Sequence, residues 1–262
     1  MQPLLNIAIT AARAAGDIIM RHHEQIDRLK IIPKEGNTFC TEVDQKAEQA
    51  IIHLIHKAYP EHGLIAEESG TYREDAQHVW IIDPLDGSSN YVHGFPFYAV
   101  SIALRIDQRI EHAVVYDPLR HECFSASRGR GARLNDRRLR VSKQTQLNHA
   151  LVGIGGYAPG ATAAALSENL YAKGASLRRS GSIALDLAYL ACARYDAVCS
   201  LGASVWDLAA GSLLVQEAGA LMSDRFGGED FLNHGDVIAS TPKLFKSFLQ
   251  TCGSILQADK TS

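Results

Sequence analysis

The sequence predicts an α+β half followed by an α/β half, and three observations predict it. Two amphipathic helical stretches open the chain, short β segments separated by turn residues fill 97–141, and strand and helix patterns alternate beyond about residue 147. The division gives an α+β subdomain at 1–147, with an antiparallel sheet, and an α/β subdomain at 148–262. At 262 residues the chain is long for one core and sufficient for two packed subdomains.

The elements follow in order. Leu4, Leu5, Ala8, Ala11, Ala12, Ala15, Ile18 and Ile19 recur at helical spacing, which predicts a helix over 4–26. A second helix is expected from Thr41 to Tyr59, where Val43, Ala47, Ala50, Ile51, Leu54 and Ile55 share one face; Pro60 and Gly63 end it. The strand Leu64-Ile65-Ala66 runs into Glu67-Glu68, and Val79–Ile82 runs into Asp83 in the same manner. Ala99–Ile106, Ile110–Tyr116, Glu122–Ala126 and Arg137–Val141 read as an antiparallel meander. Their turns fall at Asp107-Gln108, Asp117-Pro118, Gly129–Gly131 and Asn135-Asp136. Strands at 150–154, 175–179, 196–201, 220–223 and 236–239 then alternate with helices near 162–173, 182–194, 205–218 and 242–256.

Composition excludes several classes. A net charge of −3 supplies no basic field for non-specific nucleic-acid binding. Five scattered cysteines with no C-x-x-C pair argue against a disulfide framework or a zinc knuckle and fit reduced thiols. The N-terminus lacks the pattern of a signal peptide, and no uninterrupted apolar run reaches the ~18 residues of a membrane span. The expectation is a soluble, cytoplasmic protein.

The chemistry concentrates at element ends. Asp44, Glu67, Asp83, Asp86 and Asp207 all fall there, and Glu67 and Asp83 each terminate an apolar strand, where an unpartnered charge is costly. Clustered carboxylates repel one another, so such a cluster implies a cation, and an all-oxygen donor set selects Mg²⁺, Mn²⁺ or Ca²⁺ over zinc. Pro84 biases Asp83 toward an extended conformation, so a loop could aim both carboxylates at one point. Gly87-Ser88-Ser89 opens a helical turn whose free N–H groups suit phosphate oxygens. Taken singly each signal has a plainer reading: D-P-L-D-G-S-S as an ordinary turn, Asp207 and Asp44 as first-turn helix acids, Glu67-Glu68 as solvated acids. His22-His23 and the pair His53 and His56 read as solvated, and His93 lies close to the loop without a clear role.

Lys34 with Thr41-Glu42-Val43-Asp44, Ile65–Gly70, Trp80–Asn90 and Trp206-Asp207-Leu208-Ala209-Ala210-Gly211, in this order and spacing, resemble the inositol monophosphatase family over nearly the whole chain. The likeness is nearest to its bacterial SuhB-type branch. The resemblance implies a layered αβαβα sandwich of the inositol monophosphatase / fructose-1,6-bisphosphatase type. It also implies a homodimer and lithium-sensitive, Mg²⁺-dependent hydrolysis of inositol monophosphate or a similar small phosphate monoester. Two or three Mg²⁺ ions would be held by Glu67, Asp83, the Leu85 carbonyl, Asp86 and Asp207. Asp44, Glu67 and Ser88 would be catalytic, with Ser88 hydrogen-bonded to Asp44 and orienting the attacking water. Gly87, Ser88, Ser89 and Asp207 would meet the substrate.

Departures from the family pattern fall mostly at the substrate end. Ser88-Ser89 replaces Thr-Thr, Thr38 replaces an acid, Ile183 replaces an alanine and Ser200 replaces a glutamate; in the family the last two positions contact inositol hydroxyls. A site losing an acceptor and gaining bulk should select differently. Histidinol-phosphate and nucleotide 3′-phosphate phosphatases share the metal motifs and stay open as alternatives. So does a role as an antitermination partner in transcription complexes, without sequence-specific nucleic-acid or membrane binding. The basic segment Arg128–Arg140 reads either as a partner surface or as a charged hairpin edge.

Overall fold

The computed structural model describes residues 3–23, 26, 31–33, 39–156 and 160–256. Its first half runs α1 (Pro3–His23), β1 (Ile31–Pro33), β2 (Phe39–Thr41), α2 (Glu42–Ala58), β3 (Gly63–Ala66), β4 (Gly70–Tyr72), β5 (His78–Asp86) and α3 (Ser88–Val92). A meander follows: β6 (Ala99–Ile106), β7 (Arg109–Asp117), β8 (Glu122–Ser127), β9 (Ala132–Leu134) and β10 (Arg137–Arg138). Beyond it come β11 (Leu151–Gly156), α4 (Gly160–Ala172), β12 (Ser176–Arg178), α5 (Ile183–Ala191), β13 (Ala197–Leu201) and α6 (Val205–Ala218). The chain closes with β14 (Leu221–Ser223), α7 (Phe231–His234), β15 (Val237–Ser240) and α8 (Pro242–Leu256).

Two larger sheets result. One has eight strands in the order β10-β9-β8-β7-β6-β5-β3-β4, and the other five in the order β12-β11-β13-β15-β14. Alternation along the strands decides what covers each face. In β5, Trp80 and Ile82 join Ala11, Ala15, Ile51 and Ile55 under α1 and α2, whereas Ile81 points to the opposite core with Leu185, Ala188 and Leu213 of α5 and α6. The second sheet repeats the scheme: Val198 and Val237 meet α5 and α6, while Cys199 and Ile238 meet Leu166 of α4 and Phe248 of α8. Helix pair, sheet, helix pair, sheet, helix pair: the five-layer αβαβα sandwich is observed. Since α5 and α6 are covered on both sides, their sequences are apolar nearly all round, as buried helices must be.

Local signals set the boundaries. Thr41 caps α2: its hydroxyl accepts from Val43 N–H (3.1 Å), while the Asp44 carboxylate accepts from Thr41 N–H (2.8 Å) in a reciprocal capping box. Helix α1 is described from Pro3 to His23, and residues 24 and 25 of the expected span lie outside the described residues. It is long and apolar enough by composition to cross a membrane, but its alanine stripe is buried against α2 and the eight-stranded sheet. The expected strand Arg137–Val141 shrinks to the two residues of β10, because Asn135 takes a left-handed turn (φ 51°) that pairs it back onto an unforeseen β9. The second sheet is mixed: β11 pairs in parallel with β12 and β13, while β15 runs antiparallel to β13 and β14. All five cysteines are free thiols.

Candidate metal centre

The strand that carries Asp83 does not end there. It continues to Asp86 through a bulge: Asp83 pairs with Ser101 and Asp86 with Ala99, so Pro84 and Leu85 together oppose Val100. Residues three apart on a regular strand point to opposite faces. The extra residue cancels that, sending Leu85 into the core under α1 and α2 and turning Asp86 to the face of Asp83. Leu85 N–H donates to Asp83 Oδ1 (2.9 Å).

The face on which both carboxylates emerge is covered by the N-terminal ends of α5 and α6. Asp86 Oδ2 accepts from the Ser182 hydroxyl (2.6 Å) and from Ala184 N–H (2.7 Å), so it satisfies the first turn of α5. Asp207, third residue of α6, accepts from Ser204 N–H (2.8 Å) in a capping box. These contacts bring oxygens of Asp83, Asp86 and Asp207 within 4.8 Å of one another, all buried. Burial pushes each carboxyl up from its ordinary range. Repulsion by Glu67, Asp86 and Asp207 raises Asp83 further, and Asp207 does the same to Asp86. Three buried acids held by rigid elements, with no lysine or arginine among them, form a donor set for a hard divalent cation; the residues fit Mg²⁺.

Beside the carboxylates lies a cavity of about 230 Å³ lined in part by Gly87, Ser88, Ser89, Gly155, Arg179 and Ile183. Gly87 sits at φ +93°, and a Cβ there would lie 2.9 Å from the Phe97 carbonyl oxygen, so glycine is required where the chain turns into α3. The Asn90 amide donates to the carbonyls of Phe97 (2.7 Å) and Ser180 (2.8 Å), tying this turn to the loop before α5.

Asp83, Asp86 and Asp207 come together as the sequence suggests. Glu67 stands beside Asp83, half-buried, outside the tight group of three. Two expectations fail. No hydrogen bond joins Ser88 to Asp44 among the described residues; Asp44 Oδ2 accepts instead from both the N–H and the hydroxyl of Thr41 (2.8 and 2.6 Å). Ser200 does not line the cavity: it is fully buried in central strand β13, under Gly155, with its hydroxyl unpartnered. Ile183, in contrast, forms a wall of the cavity. His93 Nδ1 lies 2.8 Å from the Ser89 carbonyl and stays outside the cavity, and no histidine group gathers at metal-binding distance among the described residues. Lys34 and Thr38 lie outside the described residues.

Sequence reasoning missed Arg179 at the cavity, Ser182 beneath Asp86 and the bridging role of Asn90. Ser182 had a visible signal, a serine cap before an apolar run; Arg179 had none, since its place depends on packing between the two sheets.

Comparison with known proteins agrees with this geometry. The profile of the inositol monophosphatase family matches residues 1–256. The Nus factor SuhB of Pseudomonas aeruginosa is 48% identical, covering 96% of each chain. Among solved structures, the extragenic suppressor protein suhB of Bartonella henselae superposes with a TM-score of 0.93 at 37% identity, over 96% of this chain and 98% of that one. An inositol monophosphatase from Anabaena superposes with a TM-score of 0.85 at 31% identity, over 97% and 98%.

Proposed function

This chain belongs to the inositol monophosphatase family, and from that premise we propose that it is a Mg²⁺-dependent phosphomonoesterase acting on inositol monophosphate or a similar small polyol phosphate. The observation that carries the reading is the buried group of Asp83, Asp86 and Asp207 beside the Gly87-Ser88 turn. With Glu67 and the Leu85 carbonyl, these residues would hold two or three Mg²⁺ ions. Bound there, Mg²⁺ supplies positive charge against a phosphate dianion and acidifies water.

The chain's own residues divide the remaining work. Backbone N–H groups of Gly87 and Ser88 would receive phosphate oxygens, and Ser89 lies exposed next to them. The Ser88 hydroxyl and Glu67 would orient the attacking water. Asp44, buried behind them and fixed by Thr41, would act on the water only through its neighbours. Arg179 at the cavity offers a positive charge to an incoming anion. Ile183 gives the polyol end an apolar wall, and Ser200 is withdrawn beneath Gly155. Both favour relaxed selection, with similar kcat/KM for inositol 1-phosphate and glycerol 2-phosphate.

The test is phosphate release from a panel of monoesters with Mg²⁺ and with chelator. Release that needs Mg²⁺ and is lost in Asp86→Asn supports the reading; no Mg²⁺-dependent release from any monoester overturns it. A strong preference for inositol phosphate would defeat relaxed selectivity alone. Lithium inhibition and a dimer by light scattering are further expectations.

A second reading rests on the relative named as a Nus factor, matched over 96% of both chains. We propose that this protein also joins a transcription complex in the cytoplasm, using a surface separate from the carboxylates. Capture of transcription proteins by wild type and equally by Asp86→Asn would support it; the absence of capture by either would sink it.

A further inference from the structure

The hairpin that ends the eight-stranded sheet carries a charge arrangement that neither the fold nor the carboxylate site requires. Arg128, Arg130, Arg133, Arg137, Arg138 and Arg140 are all exposed, in a chain whose net charge is −3. Only Arg128 has a carboxylate partner among the described residues, Glu111 at 3.3 Å. Two other acids stand nearby: Asp136, exposed in the hairpin turn, takes Arg133 on its backbone carbonyl (3.2 Å) and forms no carboxylate ion pair among the described residues, and Glu217 accepts from Gly129 N–H (2.7 Å) and Gly131 N–H (2.6 Å), fixing the turn rather than neutralising a guanidinium. Arg133 and Arg138 stand directly opposite each other across β9 and β10, a like-charge pair that weakens a hairpin. The Arg138 guanidinium lies over Gly131, where an added Cβ would sit 3.2 Å from Nε. Edge protection alone calls for a charge or two.

We propose that this arginine hairpin is a docking surface for an extended, acidic polypeptide segment of a partner protein. Strand β10 is the sheet's edge, so among the described residues its outer side faces no other strand and can pair with an added one. Guanidinium forks match carboxylates in pairs, which lysines do not, and the segment contains arginine without a single lysine. A feature that would favour nucleic acid is missing. No aromatic side chain lies between residues 128 and 140 to stack on a base. The proposal does not depend on the phosphatase reading, because the cavity beside the carboxylates is lined by none of these arginines.

The test uses the full-length protein and a fluorescein-labelled peptide of alternating glutamate and threonine, about a dozen residues long. A glutamine-threonine peptide and an oligouridine of equal length serve as comparisons. Anisotropy should show binding of the acidic peptide that weakens as salt rises from about 50 to about 200 mM, with no binding of the glutamine version. Arg138→Glu should weaken binding at least about tenfold while leaving the melting temperature equal or higher, since it turns the Arg133–Arg138 opposition into an attractive pair. Arg137→Glu, opposite Leu134 instead, should also weaken binding. The proposal is overturned by failure of the acidic peptide to bind, by unchanged binding in both variants, by a lowered melting temperature in Arg138→Glu, or by tighter binding of the oligouridine.

Discussion

Neutralising one member of the carboxylate group should stabilise the metal-free protein and abolish its response to Mg²⁺. Asp207→Asn is the cleanest perturbation, because an asparagine oxygen can still accept from Ser204 N–H at the start of α6. The other two carboxylates lie within 4.8 Å. Each charged pair at that distance repels by roughly 3–4 kcal/mol at an effective dielectric near 20. Proton uptake relieves part of this, so the net gain should be on the order of 1–2 kcal/mol, or several degrees in melting temperature. The sign follows from the raised pKa values of Asp83, Asp86 and Asp207. Above about pH 4 the folded metal-free protein holds protons that the unfolded chain has released, so its stability falls as pH rises. In chelator at pH 8, Asp207→Asn should therefore melt above wild type, and the two should converge only as pH falls to about 4. Adding Mg²⁺ should reverse the order, since a ligand at about a hundred times its Kd stabilises by about 2.7 kcal/mol. Differential scanning fluorimetry reads all of these. A variant that melts below wild type in chelator at pH 8, or that keeps the full Mg²⁺ shift, would refute the reasoning.

Gly87→Ala forces a Cβ to within 2.9 Å of the Phe97 carbonyl at φ +93°; it should cost about 1–3 kcal/mol by denaturant melt and lower phosphate release at least about tenfold. Asp44, buried and raised to about 7 mainly by loss of solvation, should destabilise the protein progressively as pH rises from about 4 to 7. Asp44→Asn should flatten that slope, with a ceiling near 4 kcal/mol at alkaline pH, measured as melting temperature against pH. Ile183→Ala should enlarge the cavity and change the kcat/KM ratio between inositol 1-phosphate and glycerol 2-phosphate; an unchanged ratio would remove Ile183 from the selecting wall.

What the sequence revealed depended on whether the controlling physics was local. Helices α6 and α8 coincide with their expected spans because capping serine, apolar run and terminal glycine or proline are short-range signals. The turn at Asn135-Asp136 lies where the sequence puts it, but β9 went unforeseen and β10 is shorter than Arg137–Val141, because two and three residues are too few to show a strand period. The position of Ser200 was illegible for a different reason. Its burial comes with its pairing to Gly155 on the neighbouring strand, a contact that only the folded second sheet creates.

The motif itself contained a spacing that argues against its own function. Asp83 and Asp86 are three apart, and on a continuous strand that would aim one at each core. A loop was the obvious escape, but the strand persists, and Pro84 explains how. A bulge needs a position that gives no N–H to the ladder, and proline has none to give. Leu85 N–H, released from the ladder in the same bulge, turns to Asp83 Oδ1 and holds that carboxylate. The proline, the buried leucine and the two acids thus act as one device: the bulge costs regular pairing and places two charges on one face. At the helix ends, Ser182 meets Asp86 and Ser204 meets Asp207. The sheet provides two of the three carboxylates and the buried helix layer the third, so the group can form only where those layers meet.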